Sequence, residues 1–224
     1  GSHAGYDPKG ATYSGSANLF AGYAAGHHIG GDNVVALGAY AGYYATGSSN
    51  TFVGKQAGYG TTSAPYSSGE ANVAMGYRTL DALTTASNNV AIGQNALGAL
   101  TTGEPNTAVG KDCLKVCQGG SNVGFGKGAG EALTTGGSNT IIGVAAGASL
   151  TTGSSNILIG KEANVSSSGN SELVIGNAIS GVANNTGLIY PPGGGAMYQA
   201  NNATTWSQTS DERIKKNIVD NNEG

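Results

Sequence analysis

A glycine returns every 16 or 17 residues along most of this chain, each time directly after a short apolar stretch. One interval is 22 residues long because extra residues are inserted around positions 59–70. The repeated glycines are Gly22, Gly38, Gly54, Gly76, Gly93, Gly110, Gly126, Gly143, Gly160 and Gly176. Self-similarity at a short fixed period is typical of a solenoid, in which each repeat forms one coil and packs only on its neighbours.

Other residue types recur at fixed distances from this glycine. An asparagine stands four residues before it in most repeats: Asn18, Asn50, Asn72, Asn89, Asn106, Asn122, Asn139 and Asn156. The outer two of the three intervening residues are mostly β-branched or otherwise apolar, as in Val90–Ile92. This alternation predicts a short strand in every coil, and the glycine after it can take the positive φ of a turn. We expect the asparagine amides to stack one above another and to hydrogen-bond between coils.

The second part of each repeat consists of small residues, leucine and threonine. An alanine usually follows three residues after the glycine: Ala25, Ala41, Ala57, Ala96, Ala129, Ala146 and Ala163. We expect these alanines to face inward, in a segment that is either extended or a single helical turn. The predicted fold class is therefore all-β: a β-solenoid or flattened β-roll with coils of 16–17 residues. Ten such coils would stack to roughly 50 Å at about 4.8 Å per coil.

Composition indicates that one chain cannot build a large core by itself. Charged residues make up only 10% of the chain, and 40 of its 224 residues are glycine. Ordinary globular domains contain about a quarter charged residues and about 7% glycine. The glycines do not follow the G-X-Y period of collagen. We expect three copies to complete the core as an intertwined or packed homotrimer, and a self-sufficient monomeric solenoid is the alternative.

Charge and hydropathy exclude several kinds of partner and activity. The net charge is −3 and basic residues cluster only at Arg213 to Lys216, so we expect no nucleic-acid binding. No apolar run reaches the roughly 18 residues of a membrane span, so we expect no membrane insertion. The sequence lacks the motifs of nucleophile elbows, zinc proteases and phosphate-binding loops. We therefore expect no cofactor, no metal and no enzymatic activity in this chain.

Two cysteines fall at inward positions of one repeat. Cys113 takes the place that Ala96 has in the preceding repeat. Cys117 likewise takes the place of Leu100. Buried cysteine behaves as a small hydrophobic residue, so two buried thiols are one possibility. A disulfide between them is another, and a metal site is the third, although zinc would want four ligands and no histidine lies nearby.

Tyrosine is concentrated near the start of the chain, where nine of the eleven lie between residues 6 and 77. Exposed aromatic rings beside Asn, Ser and Gly are typical of surfaces that bind sugars or proteins. We predict that Tyr43, Tyr44 and Tyr66 contact a host cell-surface receptor, either a glycan or a protein. The insertion with Pro65 and Tyr66 is the candidate recognition loop. The alternative is that these rings stack as a stabilising ladder along the coils.

The repeat ends after Gly176, and the composition then changes twice. Residues 181–209 contain two candidate strands, near Leu188–Tyr190 and Ala196–Gln199, with a Pro-Gly turn between them. From residue 210 the chain becomes charged and reads Ser-Asp-Glu-Arg-Ile-Lys-Lys-Asn-Ile. The first of these segments predicts a β-rich tip, and the second carries a resemblance to a known family.

The residues that carry this resemblance are Ser210, Asp211, Arg213, Lys215 and Ile218. In type and spacing they resemble the opening of the autocleaving intramolecular chaperone at the ends of phage tail fibres and spikes, a domain that endosialidases also have. The resemblance implies a chaperone that trimerises, guides a β-rich fibre into register and cuts itself off at the Thr209–Ser210 bond. It implies Ser210 as nucleophile and Lys215 as base, which requires burial to lower the lysine pKa. Because the sequence ends at Gly224, before the chaperone's helical body, we expect the pair to be inert here.

The repeat unit is separately similar to the Asn-x-Ala-Ile-Gly coils in the heads of trimeric autotransporter adhesins. Together these features predict four regions: a tag scar and lead-in at 1–10, a solenoid shaft at 11–180, a fibre tip at 181–209 and the start of the chaperone at 210–224. The expected function is a structural, receptor-binding segment of a trimeric viral tail fibre on the virion. The alternatives are the head of a bacterial surface adhesin and a polysaccharide-degrading tailspike, which would need a carboxylate pair in a groove.

Overall fold

The computed structural model describes residues 2–5, 15–62, 66–103, 105–181, 183–191, 196–200 and 207–208. The strands in these ranges are β1 (Leu19–Ala21), β2 (Val35–Leu37), β3 (Thr51–Val53), β4 (Val73–Met75), β5 (Val90–Ile92), β6 (Thr107–Val109), β7 (Val123–Phe125), β8 (Thr140–Ile142), β9 (Ile157–Ile159), β10 (Leu173–Ile175), β11 (Gly187–Ile189), β12 (Met197–Gln199) and β13 (Ser207–Gln208). They form one sheet in chain order. The predicted all-β solenoid is therefore confirmed. Within the same ranges, no helix is long and apolar enough to cross a bilayer.

The coils stack in parallel, with equivalent residues side by side. Strand β5 pairs with β6 so that Val90 faces Thr107 and Ala91 faces Ala108. The same parallel pairing runs from β1 to β11, one strand beyond the last repeated glycine. Strands β12 and β13 then add antiparallel pairs. The two strands predicted near residues 188–190 and 196–199 are present as β11 and β12.

In the coils of strands β1 to β10, the middle residue of each three-residue strand faces the inside of its coil. Ala91, Ile141 and Leu158 have no exposed surface. The residues on either side of them in the strands are half-buried or exposed. Alanines and leucines of the second segment, such as Ala96 and Leu100, complete the interior. The apolar residues that identified the strands in the sequence therefore lie mainly on the outside of the sheet.

The second segment of each coil is a series of turns. Residues two and four positions after the strand glycine take left-handed conformations, with φ of 57° at Asn95 and 48° at Leu97. Their N–H groups donate to different neighbouring coils, Asn95 to the Tyr77 carbonyl at 3.0 Å and Leu97 to the Cys113 carbonyl at 3.1 Å. Because these amide hydrogen bonds run between coils, they are not available for the i to i−4 bonds of a helix. The helical-turn alternative is therefore not realised in this segment.

The strand glycines satisfy a backbone requirement and a contact requirement together. The φ angle is 120° at Gly93, where a Cβ atom would lie 2.6 Å from the backbone carbonyl of Gly110 in the next coil. Equivalent glycine-to-glycine contacts recur from Gly22 to Gly160. The positive φ predicted for these residues is confirmed, and a side chain at this position would also force neighbouring coils apart.

Residues 2–5 lie against the first coil as a further turn segment. The Gly5 N–H donates to the Ala25 carbonyl at 2.8 Å. His3 and Gly5 have φ angles of 63° and 64°, the same alternation that complete coils show. The N-terminal side of the first coil is therefore partly covered by the hydrogen-bonding pattern that the coils use among themselves.

Candidate functional site

A column of asparagine side chains runs through the interior of the solenoid. The Asn122 Oδ1 accepts hydrogen bonds from both the backbone N–H and the side-chain Nδ2 of Asn139, each at 3.0 Å. The Asn139 Nδ2 also donates to the Gly153 carbonyl at 3.0 Å. The predicted stacking of the asparagines is confirmed. Because these buried amides bond to each other and to turn carbonyls, the column holds coils together and offers no site for a ligand.

Histidines and tyrosines of the early coils form two columns of rings in the turn segments, which we call the aromatic stacks. The first contains His27, Tyr43 and Tyr59, and the second contains His28, Tyr44 and Tyr66. In the first stack, the ring centroids of His27 and Tyr43 are 4.5 Å apart with an interplanar angle of 9°. Those of Tyr43 and Tyr59 are 5.5 Å apart at 17°. The rings therefore stack as a ladder along the coils, which was the alternative to receptor contacts in the sequence analysis above.

The three candidate receptor residues lie together in these stacks. The Tyr43 and Tyr44 rings meet edge to face at 4.5 Å, and Tyr44 stacks on Tyr66 at 5.3 Å. Burial raises the pKa of the Tyr43 hydroxyl above its ordinary value, and neighbouring tyrosines add to this rise. The hydroxyl therefore stays protonated at neutral pH. Because neighbouring rings cover the ring faces, a receptor would meet mainly ring edges. Pro65, the other residue named for the recognition loop, lies outside the described residues.

Cys113 and Cys117 are both buried free thiols. Burial raises the pKa of Cys113 to about 12 and that of Cys117 to about 11, so both stay protonated at neutral pH. The Cys117 Sγ lies 3.5 Å from the Gly119 carbonyl and 3.5 Å from the Asn122 Nδ2. No cluster of three His, Cys, Asp or Glu side chains suited to a metal occurs in the described part of the chain. The structure thus realises the buried-thiol alternative, in which the cysteines fill interior space.

The outer side of the sheet carries two columns of mostly apolar side chains, which we call the outer face. The columns consist of the first and the third residues of strands β1 to β10, and neither column contains a charged residue. Leu19 is 56% exposed, Phe125 55% and Ile157 43%. Monomeric soluble proteins rarely expose an apolar surface this continuous, and such surfaces mark contact sites. Once the structure places the middle residue inward, its two apolar neighbours must point outward.

The outer face ends in a hollow near the C-terminal side of the sheet. This hollow has a volume of about 670 Å³ and is lined by Ile159, Ile175, Ile189 and Tyr190. The three isoleucines continue one column of the outer face as far as β11. The apolar strip is therefore a groove at this end, which could receive side chains from another chain.

A second, polar groove opens in the turn segments around Gly98, and the sequence did not reveal it. Its volume is about 360 Å³, and charged side chains of Arg78, Asp81 and Lys115 line it. In the sequence Arg78 and Asp81 stand in one repeat and Lys115 stands two repeats later, with Gly98 in the repeat between them. Only the stacking of the coils brings them to one place.

The residues with the chaperone-like pattern lie outside the described part of the chain. They are Ser210, Asp211, Arg213, Lys215 and Ile218, together with the expected cleavage point between Thr209 and Ser210. Their proposed roles therefore continue to rest on the sequence resemblance.

No protein-family model matches the sequence, and neither a curated protein nor a solved structure matches the chain. What the chain does must be inferred from its own surfaces.

Proposed function

We propose that this chain is a rod-like, host-attachment segment of a homotrimeric viral tail fibre. The observation that carries the proposal is the outer face, an uncharged and mostly apolar strip that extends over strands β1 to β10. At about 4.8 Å per strand, such a strip is roughly 45 Å long. Association with other copies would remove this surface from water, and the hydrophobic effect favours that association.

The number of copies is argued from the two sequence resemblances. Two copies could already cover their outer faces with one another. Three are favoured because both the chaperone segment at Ser210–Ile218 and the Asn-x-Ala-Ile-Gly coils resemble parts of trimeric proteins. The hollow lined by Ile175 and Tyr190 offers an extra place where a neighbouring chain could dock.

A trimeric rod would suit attachment to a cell surface. It presents the same turn surfaces three times, so weak contacts to a repeated receptor gain strength through avidity. The aromatic stacks, with Tyr43, Tyr44 and Tyr66, are one candidate contact surface for a host glycan or protein. A change of all three tyrosines to alanine should reduce binding to host cells while the coils remain folded.

The mass in solution tests the assembly directly. One chain has a mass of 22.0 kDa, so light scattering should give three times this value in dilute buffer. Chemical cross-linking should give bands for two and three chains at the same concentration. A mass of one chain in both measurements would overturn the homotrimer and, with it, the proposed role of the outer face.

Extension of the gene separates a viral fibre from its rival, the head of a bacterial trimeric adhesin. The similarity of the coils to adhesin heads is the observation that favours this second candidate. When the chain is followed by a complete chaperone, we expect a product that ends at Thr209. Replacement of Ser210 or Lys215 by alanine should block this cleavage. An extended protein that folds but stays uncut would favour the adhesin head.

A further inference from the structure

At one position in the turn segments, a glycine leaves the surface without the side chain that most other coils have there. The fifth residue after the strand glycine is, in successive coils, His27, Tyr43, Tyr59, Asp81, Gly98, Lys115, Glu131 and Ala148. At Gly98 φ lies outside the left-handed region, and the nearest contact of an added Cβ would be the Asn95 carbonyl oxygen at 3.1 Å. The backbone conformation and the space at position 98 therefore restrict the residue type much less than they do at the strand glycines. The effect of Gly98 is to leave the groove of about 360 Å³ open.

The groove spans three successive coils. The Ala82 N–H donates to the Gly98 carbonyl at 3.1 Å, and the Ala99 N–H donates to the Lys115 carbonyl at 3.0 Å. Asn95, Gly98 and Ala99 thus form the middle of the groove, with the coil of Asp81 on one side and the coil of Lys115 on the other. The outer two coils are two strand spacings apart, or roughly 10 Å. This width and volume suit one or two sugar units, since small-molecule sites begin at about 300 Å³.

Each side of the groove carries a cation. Arg78 donates from Nε and Nη2 to the Asp81 Oδ2, at 3.0 and 2.7 Å, and this fixes the guanidinium in place. Its Nη1 takes no part in that ion pair. On the opposite side, the Lys115 Nζ lies 3.7 Å from the Asp112 carboxylate and 3.5 Å from that of Glu131. Both distances exceed the roughly 2.8 Å of a strong charged hydrogen bond, so this ammonium group keeps donors for a ligand.

From this geometry we propose that the groove binds a carboxylate-bearing sugar unit of a cell-surface glycan. Two of the three charged residues that line it, Arg78 and Lys115, are cations. The Asp112 carboxylate near Lys115 is paired more closely with Lys111, at 2.9 Å. The sugar carboxylate would accept hydrogen bonds from Lys115 and Arg78. The Asn95 Oδ1 would accept from a ring hydroxyl, since the Asn95 Nδ2 donates to the Asp112 Oδ1 at 2.8 Å. This assignment rests on the proposed attachment function and names the class of receptor for it. It places recognition in the turn segments, apart from the outer face that the homotrimer would bury.

Isothermal titration with the full chain tests the site, with a galacturonate oligosaccharide and its carboxyl-reduced, neutral counterpart as probes. Binding of the acidic probe should be at least about tenfold tighter than that of the neutral one, because a charged hydrogen bond is lost. Gly98→Tyr should abolish binding by filling the groove. Ala148→Tyr is the matched control, since it adds the same ring at the equivalent position of a coil outside the groove. Lys115→Gln should weaken binding about tenfold.

The outcomes separate this site from the attachment function. Absence of acidic-probe binding by the unmodified chain overturns the site, as does equal loss in Gly98→Tyr and Ala148→Tyr. Equal affinity for the acidic and the neutral probe overturns the carboxylate assignment. If the unmodified chain and Gly98→Tyr attach to host cells equally well, the site is wrong while attachment stands. If the chain binds the acidic probe through Gly98 and Lys115 but attaches to no cell, the site stands and the attachment function fails.

Discussion

The inside of the coils and the outer face of the sheet are built from the same three-residue strands, yet they are completed in different ways. The inside closes within one chain, because the middle strand residue meets alanine and leucine and the asparagine column satisfies its own amides. The outer face lies open, with side chains such as Phe125 more than half exposed. The difference indicates that each strand carries two separate signals. The central residue directs folding, and the flanking residues form the surface that we propose for assembly. Variants on either side should therefore give different failures.

Breaking the inside at the asparagine column should have the largest effect. Asn122→Ala removes the acceptor of two hydrogen bonds from Asn139 and the donor of a 3.0 Å bond to the Gly136 carbonyl. Each buried group left unpaired costs about 1–3 kcal/mol, so we expect a loss of about 4 kcal/mol in the free energy of unfolding. Denaturant titration at fixed protein concentration measures it. Gln94→Ala, on the exposed side of a turn, is the control and should change stability by less than about 0.5 kcal/mol.

Breaking the outer face should separate the chains and leave each chain folded. Phe125→Asp removes an apolar ring from the expected interface, at a cost of about 2–3 kcal/mol of association free energy per chain. Light scattering should show the mass falling toward that of one chain, while far-UV circular dichroism keeps its β-sheet signal. Gln94→Asp adds the same charge away from the outer face and should leave the mass unchanged. A Phe125→Asp protein that stays fully assembled would show that the outer face is not the interface.

Overpacking the inside sharpens the comparison at neighbouring positions. Ala129 is fully buried, whereas Lys127, two residues earlier, is exposed. Ala129→Leu should lower the free energy of unfolding by about 1–3 kcal/mol, because the added atoms have no space between coils. Lys127→Leu should change it by less than about 0.5 kcal/mol. Thermal denaturation of the two variants measures both values, and equal losses would contradict the inward placement of Ala129.

The end of the asparagine column should give the smallest effect, and it depends on pH. Glu172 occupies the asparagine position of the last repeat, where it is 3% exposed and its Oε2 has no hydrogen-bond partner among the described residues. Burial raises the pKa of this carboxyl above the ordinary value of 4.5. The neutral acid is favoured in the folded state, so its contribution is complete below that ordinary value. The contribution is lost as pH rises through the raised pKa.

Two substitutions at this position check the sign of the effect. Glu172→Gln should remove the pH dependence and raise stability at pH 7 by about 1 kcal/mol, because no charge is then buried. Glu172→Asn should do at least as well, since its amide can donate to the Asn156 Oδ1 as the other asparagines do. If the unmodified chain loses more stability toward acid pH than the Glu172→Gln variant does, the assignment of the pH effect to Glu172 is wrong.

Much of the fold could be predicted because the same residue types return at the same offsets. Strand positions, the positive φ of the glycines and the asparagine column follow from chemistry that acts within one coil or between adjacent equivalent residues. The direction of the strand side chains was harder to see. A three-residue strand such as Val90–Ile92 is apolar on both sides, so its composition does not tell which side faces inward.

The candidate sites were less accessible to sequence reasoning. Leucines rarely adopt left-handed conformations, so φ of 48° at Leu97 could not be expected from residue type. The groove at Gly98 depends on residues from three coils, and its glycine looks like many others in a chain with 40 of them. The tyrosines could be named as candidates because tyrosine is concentrated around residue 43 in the sequence. Their stacking could not be predicted, because it depends on which rings lie next to each other in successive coils.

Hydrogen bonds between coils run along the axis of the solenoid, which decides how the rod bears tension. When such a rod is pulled at both ends, every junction between coils carries the same force, because the junctions are linked in series. The rod then yields at its weakest junction, whatever the strength of the others. Toward the C-terminal side, a weak junction follows Asn156. The Asn156 Oδ1 still accepts a hydrogen bond from the Glu172 N–H at 3.0 Å, but the Glu172 side chain has no amide to donate a second one. Under load, the coil that begins at Glu172 should therefore separate before the coils whose asparagines join them through both a backbone and a side-chain hydrogen bond.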